Sequence, residues 1–262
     1  LDLLTSVILG ALQGATEFLP ISSSGHLALA GKILGSNVST GLVFEALVHF
    51  ATMCSVLIYF RKKIARLIIS LFPPYTEEKL PSLRLSAIII LGTIPAAVIG
   101  LAFEDFIERA FGSGKIVSSM LLVTAFLLLS THLVKRGQKS IGFKSGFIIG
   151  LAQSTALMPG ISRSGATISI GLFLKVSPAE AAEFSFLLSL PAVFGVNLLK
   201  SLQFASSPIN LSELGIYMAG AVTAFIVGYL SIAWLLRIIK KGQFFYFGLY
   251  CLFIGTMGLI FL

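Results

Sequence analysis

QGATEFLPISSSGHLALAG, residues 13–31, places a carboxylate, three serines, a proline and a histidine inside an otherwise apolar chain. QSTALMPGISRSGATISIG, residues 153–171, repeats the pattern past the middle. Both stretches put the least helical residues where hydrocarbon is expected, and their reading decides the fold.

Hydrophobic residues make up 56% of the 262-residue chain and charged ones 11%, with a mean hydropathy of +0.97. A soluble domain carries about 25% charged residues, so this chain cannot cover a water-facing surface. It is read as a single integral membrane domain, 1–262, with no polar linker. The net charge of +8 sits in short clusters beside apolar runs. That pattern orients a chain in a bilayer and excludes nucleic acid as the partner. Cys54 and Cys251 lie far apart in apolar segments and read as small core residues. The first ten residues, LDLLTSVILG, lack the basic region of a secretory signal.

Three basic clusters set the topology: Arg61, Lys62, Lys63 and Arg66; Lys135, Arg136, Lys139 and Lys144; and Arg237, Lys240 and Lys241. With all three in the cytoplasm, spans are expected at 44–60, 83–103, 116–134, 179–199, 214–236 and 244–262. Each run approaches the roughly 20 residues that cross a bilayer. The Pro-rich stretch 71–82 reads as a cytoplasmic surface loop. Two stretches remain, 1–35 and 145–175, and neither can cross once without upsetting the charge pattern. Both are expected to enter and return as re-entrant helical hairpins, the first from outside and the second from inside.

The hairpins resemble each other. Residues 140 apart match: Ile8, Gly10, Gln13, Ile21, Ser22, Ser24, Gly25, Gly31 and Leu34 recur as Ile148, Gly150, Gln153, Ile161, Ser162, Ser164, Gly165, Gly171 and Leu174. Three spans follow each hairpin, so repeat one (1–134) and repeat two (145–262) lie upside down relative to each other. The fold class expected is therefore all-α: six transmembrane helices plus two re-entrant hairpins in an inverted-topology repeat. Broken helices are tolerated at membrane depth where they are buried in protein or line a wet cavity. The half-helices after SSSG and SRSG would aim free N–H groups into that cavity, which suits an anion.

Arg163 is the sharpest signal, since an intramembrane arginine is costly and its planar fork suits phosphate or carboxylate. Its structural alternative is an ion pair with Glu183 or Glu17. Gln13 and Glu17 share one helix face. Glu17 could hold a divalent metal, orient a histidine, or pair only for structure. One of Ser22, Ser23 and Ser24 is explained by a helix cap, but three with His26 are not; a hydroxyl or the imidazole could be nucleophile, or the imidazole an acid or base. His49 and His132 stand alone on apolar spans and read as structural, and Glu45 and Glu183 as paired groups near span entrances.

QGATEFLPISSSGH resembles the (E/Q)xxxE-FLP-SSxGH signature of the bacterial undecaprenyl-pyrophosphate phosphatases of the bacitracin-resistance type, and MPGISRSGAT resembles their PG-SRSGAT motif. FEALVHFATMCSVL, GTIPAAVIGL and AAEFSFLLSLPAVFG are similar to family segments in the family's order. The resemblance implies hydrolysis of undecaprenyl pyrophosphate to undecaprenyl phosphate and phosphate, recycling a carrier lipid for cell-wall synthesis. It implies a bacterial inner-membrane enzyme with its site facing the periplasm or exterior, dependent on Mg²⁺ or Ca²⁺. It assigns Glu17, Ser23, His26 and Arg163 to catalysis, with Glu17 also on the metal. Gln13, Ser22, Ser24, Gly25, Ser162, Ser164 and Gly165 fall to the substrate, a polyprenyl pyrophosphate lipid. Among proteins, the partner considered is a second copy in a homodimer. Gln13 leaves one carboxylate where the motif allows two, and residues 250–253 (YCLF) offer no second substrate arginine where some relatives have one.

Two rivals were weighed. Type-2 phosphatidic acid phosphatases also carry SGH and SR motifs, but need an Arg-Pro that is absent and a histidine where Ser169 stands. A transporter or flippase of an anionic isoprenoid lipid fits the architecture, yet would not need the SSSGH cluster with Glu17.

Overall fold

The computed structural model describes residues 1–33, 42–204 and 211–261, so Leu34 of the matched pairs lies outside the described residues. The described chain is helical: α1 (Leu3–Phe18), α2 (Ser23–Ile33), α3 (Leu42–Tyr59), α4 (Arg61–Ser70), α5 (Leu80–Ala102), α6 (Glu104–Phe111), α7 (Gly114–Ser130), α8 (Phe143–Thr155), α9 (Arg163–Phe173), α10 (Pro178–Phe204), α11 (Leu211–Lys241) and α12 (Tyr246–Phe261). Four helical stretches are long and apolar enough to cross a membrane: Glu77–Ala102, Gly114–Leu133, Pro178–Leu198 and Glu213–Lys241. A fifth is reached if α3 and α4 count as one bent span. The chain is a multi-pass helical membrane protein.

Each expected span coincides with a helix, with two differences. The helix expected at 44–60 does not stop at its basic cluster; it turns by 82° and continues as α4. Arg61, Lys62, Lys63 and Arg66 cannot enter hydrocarbon cheaply, while Ile64, Leu67, Ile68 and Ile69 cannot stay in water. A helix lying along the boundary satisfies both groups. Lys63 Nζ lies 2.6 Å from Glu183 Oε1 and ties α4 to α10. The second difference is α6, a short helix between α5 and α7 that the sequence reading did not separate; its first turn carries Glu104 and Asp105 and its last Arg109, the charge order a helix dipole favours.

Both expected hairpins contain a break. Pro20 cannot continue α1 because it lacks an N–H, and Ser22 reverses the chain at φ 68°. The second break passes through Gly160 at φ +99°, a conformation open to glycine without steric cost. A core of Phe18, Ile168, Phe186, Ile232 and Leu235 closes around these breaks.

The hairpin helices approach their neighbours through glycines. α1 lies on α11, where a Cβ on Gly10 would stand 2.1 Å from the Gly220 carbonyl oxygen. α8 lies on α5, where a Cβ on Gly150 would stand 2.2 Å from the Gly92 oxygen. Helix association in lipid rests on such close packing, because tails and side chains are equally apolar. Gly10→Ala is therefore expected to destabilise the protein by about 1–3 kcal/mol through overpacking, read as earlier unfolding in detergent. Gly195→Ala, where nothing lies within 4 Å of the added atom, should not unfold earlier. Equal unfolding of the two variants would contradict this packing.

Candidate active site

The two breaks abut. Ser164 Oγ on α9 donates to the Leu19 carbonyl across 3.3 Å. A Cβ built on Gly25 would reach the Gly160 Cα at 3.2 Å, and one on Gly165 the Pro20 Cβ at 3.5 Å. Backbone groups freed by the breaks are met from outside the hairpins. Thr124 Oγ1 of α7 donates to Gly160 O at 2.9 Å and accepts from Ser162 N at 3.0 Å. Cys251 Sγ of α12 donates to Pro20 O at 3.6 Å.

Each second half-helix begins with a serine cap. Ser22 Oγ accepts from Gly25 N at 3.2 Å and Ser162 Oγ from Gly165 N at 3.1 Å. Ser22 and Ser162 also sit beside Ser24 and Ser164, with Oγ···Oγ separations of 3.4 and 3.3 Å. The predicted site serines are thus gathered at two facing helix N-termini.

Glu17 is the hub. Its side chain is 5% exposed, at the end of α1 next to the first break. Oε1 pairs with Arg163 Nη2, so the first hairpin's acid meets the second hairpin's base. Oε2 accepts from Ser23 Oγ at 2.6 Å and from Gln13 Nε2 at 3.0 Å. A charge and two donors replace the water this buried carboxylate has lost, which offsets part of its desolvation cost. Removing one partner of a buried ion pair typically costs about 3–5 kcal/mol, so the pair fixes how the hairpins meet. Arg163 pairs with Glu17; the other partner considered, Glu183, is held by Lys63 instead.

The sequence reading took His49 as structural. In the structure its Nδ1 lies 3.1 Å from Gln13 Nε2 and 3.7 Å from Glu17 Oε2. A lone histidine in an apolar helix gives no local sign of this, since the contact depends on how α3 crosses α1. His132 lies elsewhere, against Phe245 with ring centroids 4.4 Å apart.

His26 faces another direction. Its Nδ1 lies 2.8 Å from the Ser22 carbonyl, which can only accept, so Nδ1 carries the proton. In the neutral ring Nε2 is then the bare nitrogen, and the Tyr250 hydroxyl 2.8 Å away is placed to donate to it. The two rings stack, 5.5 Å apart and 6° from parallel. Tyr250, like His49, carries no local sign of its contact in the sequence; the YCLF segment, which lacks an arginine, supplies a phenol.

Beside Glu17 and Arg163 runs a narrow slot of ≈ 10 Å³, with Thr52 and Ser189 on its polar side and Phe18, Met53, Val56, Leu190 and Val193 on its apolar side. The arrangement joins a cation, two helix N-termini, a hydroxyl bonded to a carboxylate and an apolar wall, a set suited to clamping a lipid-borne phosphate.

Residues 6–257 match the family described as bacitracin resistance protein BacA. The chain is 43% identical to an undecaprenyl-diphosphatase of Syntrophotalea carbinolica, over 98% of each chain. It is 40% identical to the protein of that name from Bacteroides thetaiotaomicron, again over 98% of each. With the Methanosphaera stadtmanae protein of the same name it shares 40% identity over 99% of this chain and 98% of the relative. Matched from end to end, this chain belongs to the BacA family of bacitracin resistance proteins.

Proposed function

We propose that this protein hydrolyses undecaprenyl pyrophosphate to undecaprenyl phosphate and inorganic phosphate, returning the carrier lipid to cell-wall synthesis. The observation that carries the reading is the Ser23–Glu17–Arg163 chain of contacts at the junction of the two breaks, in a chain matched throughout to undecaprenyl-diphosphatases. Transport would need the cation and the helix ends but not a serine hydroxyl already donating to a carboxylate, so no observation favours the flippase.

In this mechanism Arg163 and the N–H groups opening α2 and α9 hold the terminal phosphate. Ser23 is the nucleophile the geometry favours, because its proton already points at Glu17 Oε2. Its Oγ forms a bond to the terminal phosphorus as the bridging oxygen–phosphorus bond breaks. The proton passes to Glu17 and undecaprenyl phosphate leaves. Water then attacks the phosphoserine phosphorus, the Ser23 Oγ–phosphorus bond breaks with Oγ taking back the proton held by Glu17, and inorganic phosphate leaves. His26, with a bare Nε2 beside Tyr250, is the second group able to take a proton.

Gln13 Oε1 is buried and has no hydrogen-bond partner among the described residues. With the Glu17 carboxylate it makes two oxygen-bearing groups, a sparse set that suits a hard cation completing its shell with water and phosphate. No group of three or more His, Cys, Asp or Glu suited to a metal forms among the described residues. A bound Mg²⁺ or Ca²⁺ would neutralise charge building on the phosphate oxygens.

The proposal includes six spans and an inverted repeat. Supporting it, α2 and α9 begin and end 140 residues apart, as Ser23–Ile33 and Arg163–Phe173. The packing is exchanged between halves in the same way: α1 lies on α11 as α8 lies on α5, through the matched glycines Gly10 and Gly150. The basic clusters put the first hairpin's entrance outside, which favours a site open to the exterior face of the bacterial inner membrane. A homodimer belongs to the same reading, and exposed apolar residues such as Ile90, Val98, Phe253 and Ile260 leave room for it.

Phosphate release from a polyprenyl pyrophosphate by the purified protein tests the function. Arg163→Ala and Glu17→Gln are each expected to lower turnover per folded molecule by about 10³-fold or more, a loss beyond the lower stability that breaking the pair brings, and a chelator should abolish the wild-type rate. Near-normal turnover in both variants would remove this site from the chemistry. In ¹⁵N spectra neutral His26 is expected as the Nδ1-protonated tautomer. Tyr250→Phe should shift its Nε2 resonance and lower kcat about fivefold, the worth of one hydrogen bond. An Nε2-protonated His26 would overturn the assignment.

A further inference from the structure

A second cleft is remote from Glu17. It has a volume of ≈ 170 Å³, against ≈ 10 Å³ for the slot at the site. It forms where the end of α7, the turn into α10 and the turn from α11 to α12 converge. Its polar side is His132, Lys135 and Arg136, and its apolar side includes Leu172, Phe244 and Phe245. Among the described residues no carboxylate lines it. Neither Lys135 nor Arg136 forms an ion pair among the described residues. A third cation is drawn in, since Lys175 Nζ donates to the Lys135 carbonyl at 3.3 Å. The nearest acid in sequence to this wall, Glu180, is occupied by the Ile141 N–H at 2.9 Å.

The frame of the cleft is fixed. Residues 139 and 176 form a backbone bridge, which holds the connecting loop against the start of α10. Gly242, at φ +77°, lets the α11–α12 turn pass beneath Arg136; a Cβ there would stand 2.4 Å from the guanidinium.

We propose that this cleft binds the phosphate head group of an anionic phospholipid of the inner leaflet. The unpaired cations attract a phosphate diester, and Arg136 offers it a planar fork. Phe244, Phe245 and Leu172 receive the first carbons of the acyl chain, which a free anion would leave unused. Basic residues at a membrane boundary draw anionic lipid in this way; here they also have a walled pocket to draw it into. The choice of leaflet rests on the topology proposed above.

Native mass spectrometry of the detergent-purified protein with added phosphatidylglycerol tests the site, with phosphatidylcholine as the neutral comparison. Wild type is expected to retain phosphatidylglycerol, and Lys135→Gln/Arg136→Gln to bind it at least tenfold more weakly. Lys62→Gln/Arg66→Gln, which removes equal charge on α4, should bind as wild type does. Equal retention by all three proteins, or equal losses in both variants, would overturn the site. Displacement of the lipid by millimolar inorganic phosphate would overturn the lipid as occupant. Should Lys135→Gln/Arg136→Gln fail to fold, Lys135→Arg/Arg136→Lys is expected to keep binding and Phe245→Ala to weaken it; the reverse pattern refutes the proposal. Binding in detergent depends neither on sidedness nor on turnover, so the topology and the phosphatase reading can fail without it.

Discussion

Two helical hairpins broken inside a buried apolar bundle leave polar backbone that the helices themselves cannot satisfy, and the rest of the structure follows from how that demand is met. The Leu19 carbonyl is reached by Ser164 from the other hairpin, Gly160 by Thr124 and Pro20 by Cys251. Each break is therefore completed by side chains from beyond its own hairpin. Only with both breaks in place can Glu17 and Arg163, one from each hairpin, neutralise each other in an interior where either alone would be costly. Stability and site assembly are in this sense one event.

That economy constrains the chemistry. Arg163 is engaged by Glu17 in the arrangement described, and the slot beside it has room for about one water. A pyrophosphate entering there competes for the guanidinium with a carboxylate that carries a single charge and is shared with Ser23 and Gln13. The substrate brings more charge and more acceptor oxygens than it displaces. In the proposed reaction, binding would loosen Glu17 from its cation as Ser23 gives up its proton, so the exchange would serve the reaction as well as the grip.

Much of this was legible in the sequence because it is local. The fourfold spacing of Gln13 and Glu17, the serine before each half-helix and the lone arginine of SRSG all state their roles within a few residues. What escaped depends on crossings between distant helices. His49 looks like any buried histidine until α3 is laid on α1, and Tyr250 is one of 6 tyrosines among 22 phenylalanines until α12 is laid beside α2. The bend into α4 was missed for a different reason. The cluster at Arg61 was read for its charge, which orients the chain, while the apolar residues interleaved with it make that segment a boundary helix.

The matched halves also show where chemistry departs from scaffold. Positions 140 apart keep their caps, Ser22 with Ser162, and their close packing, Gly10 with Gly150. Glu17, however, has Leu157 as its counterpart, and His49 has Ser189. Gln153, the counterpart of Gln13, is buried with neither amide atom bonded among the described residues. One half therefore kept the acid and its neighbours, while the other kept the frame. The first residues of the two half-helices are themselves counterparts, Ser23 and Arg163, and both reach the same carboxylate. Two positions matched in sequence meet at one point, and their different residue types make one a hydroxyl and the other a cation. Identical residues there would bring two like groups to Glu17, two hydroxyls with no charge for a phosphate or two arginines with no hydroxyl. On the proposed function, that difference is what gives the crossed hairpins both a clamp and a reagent.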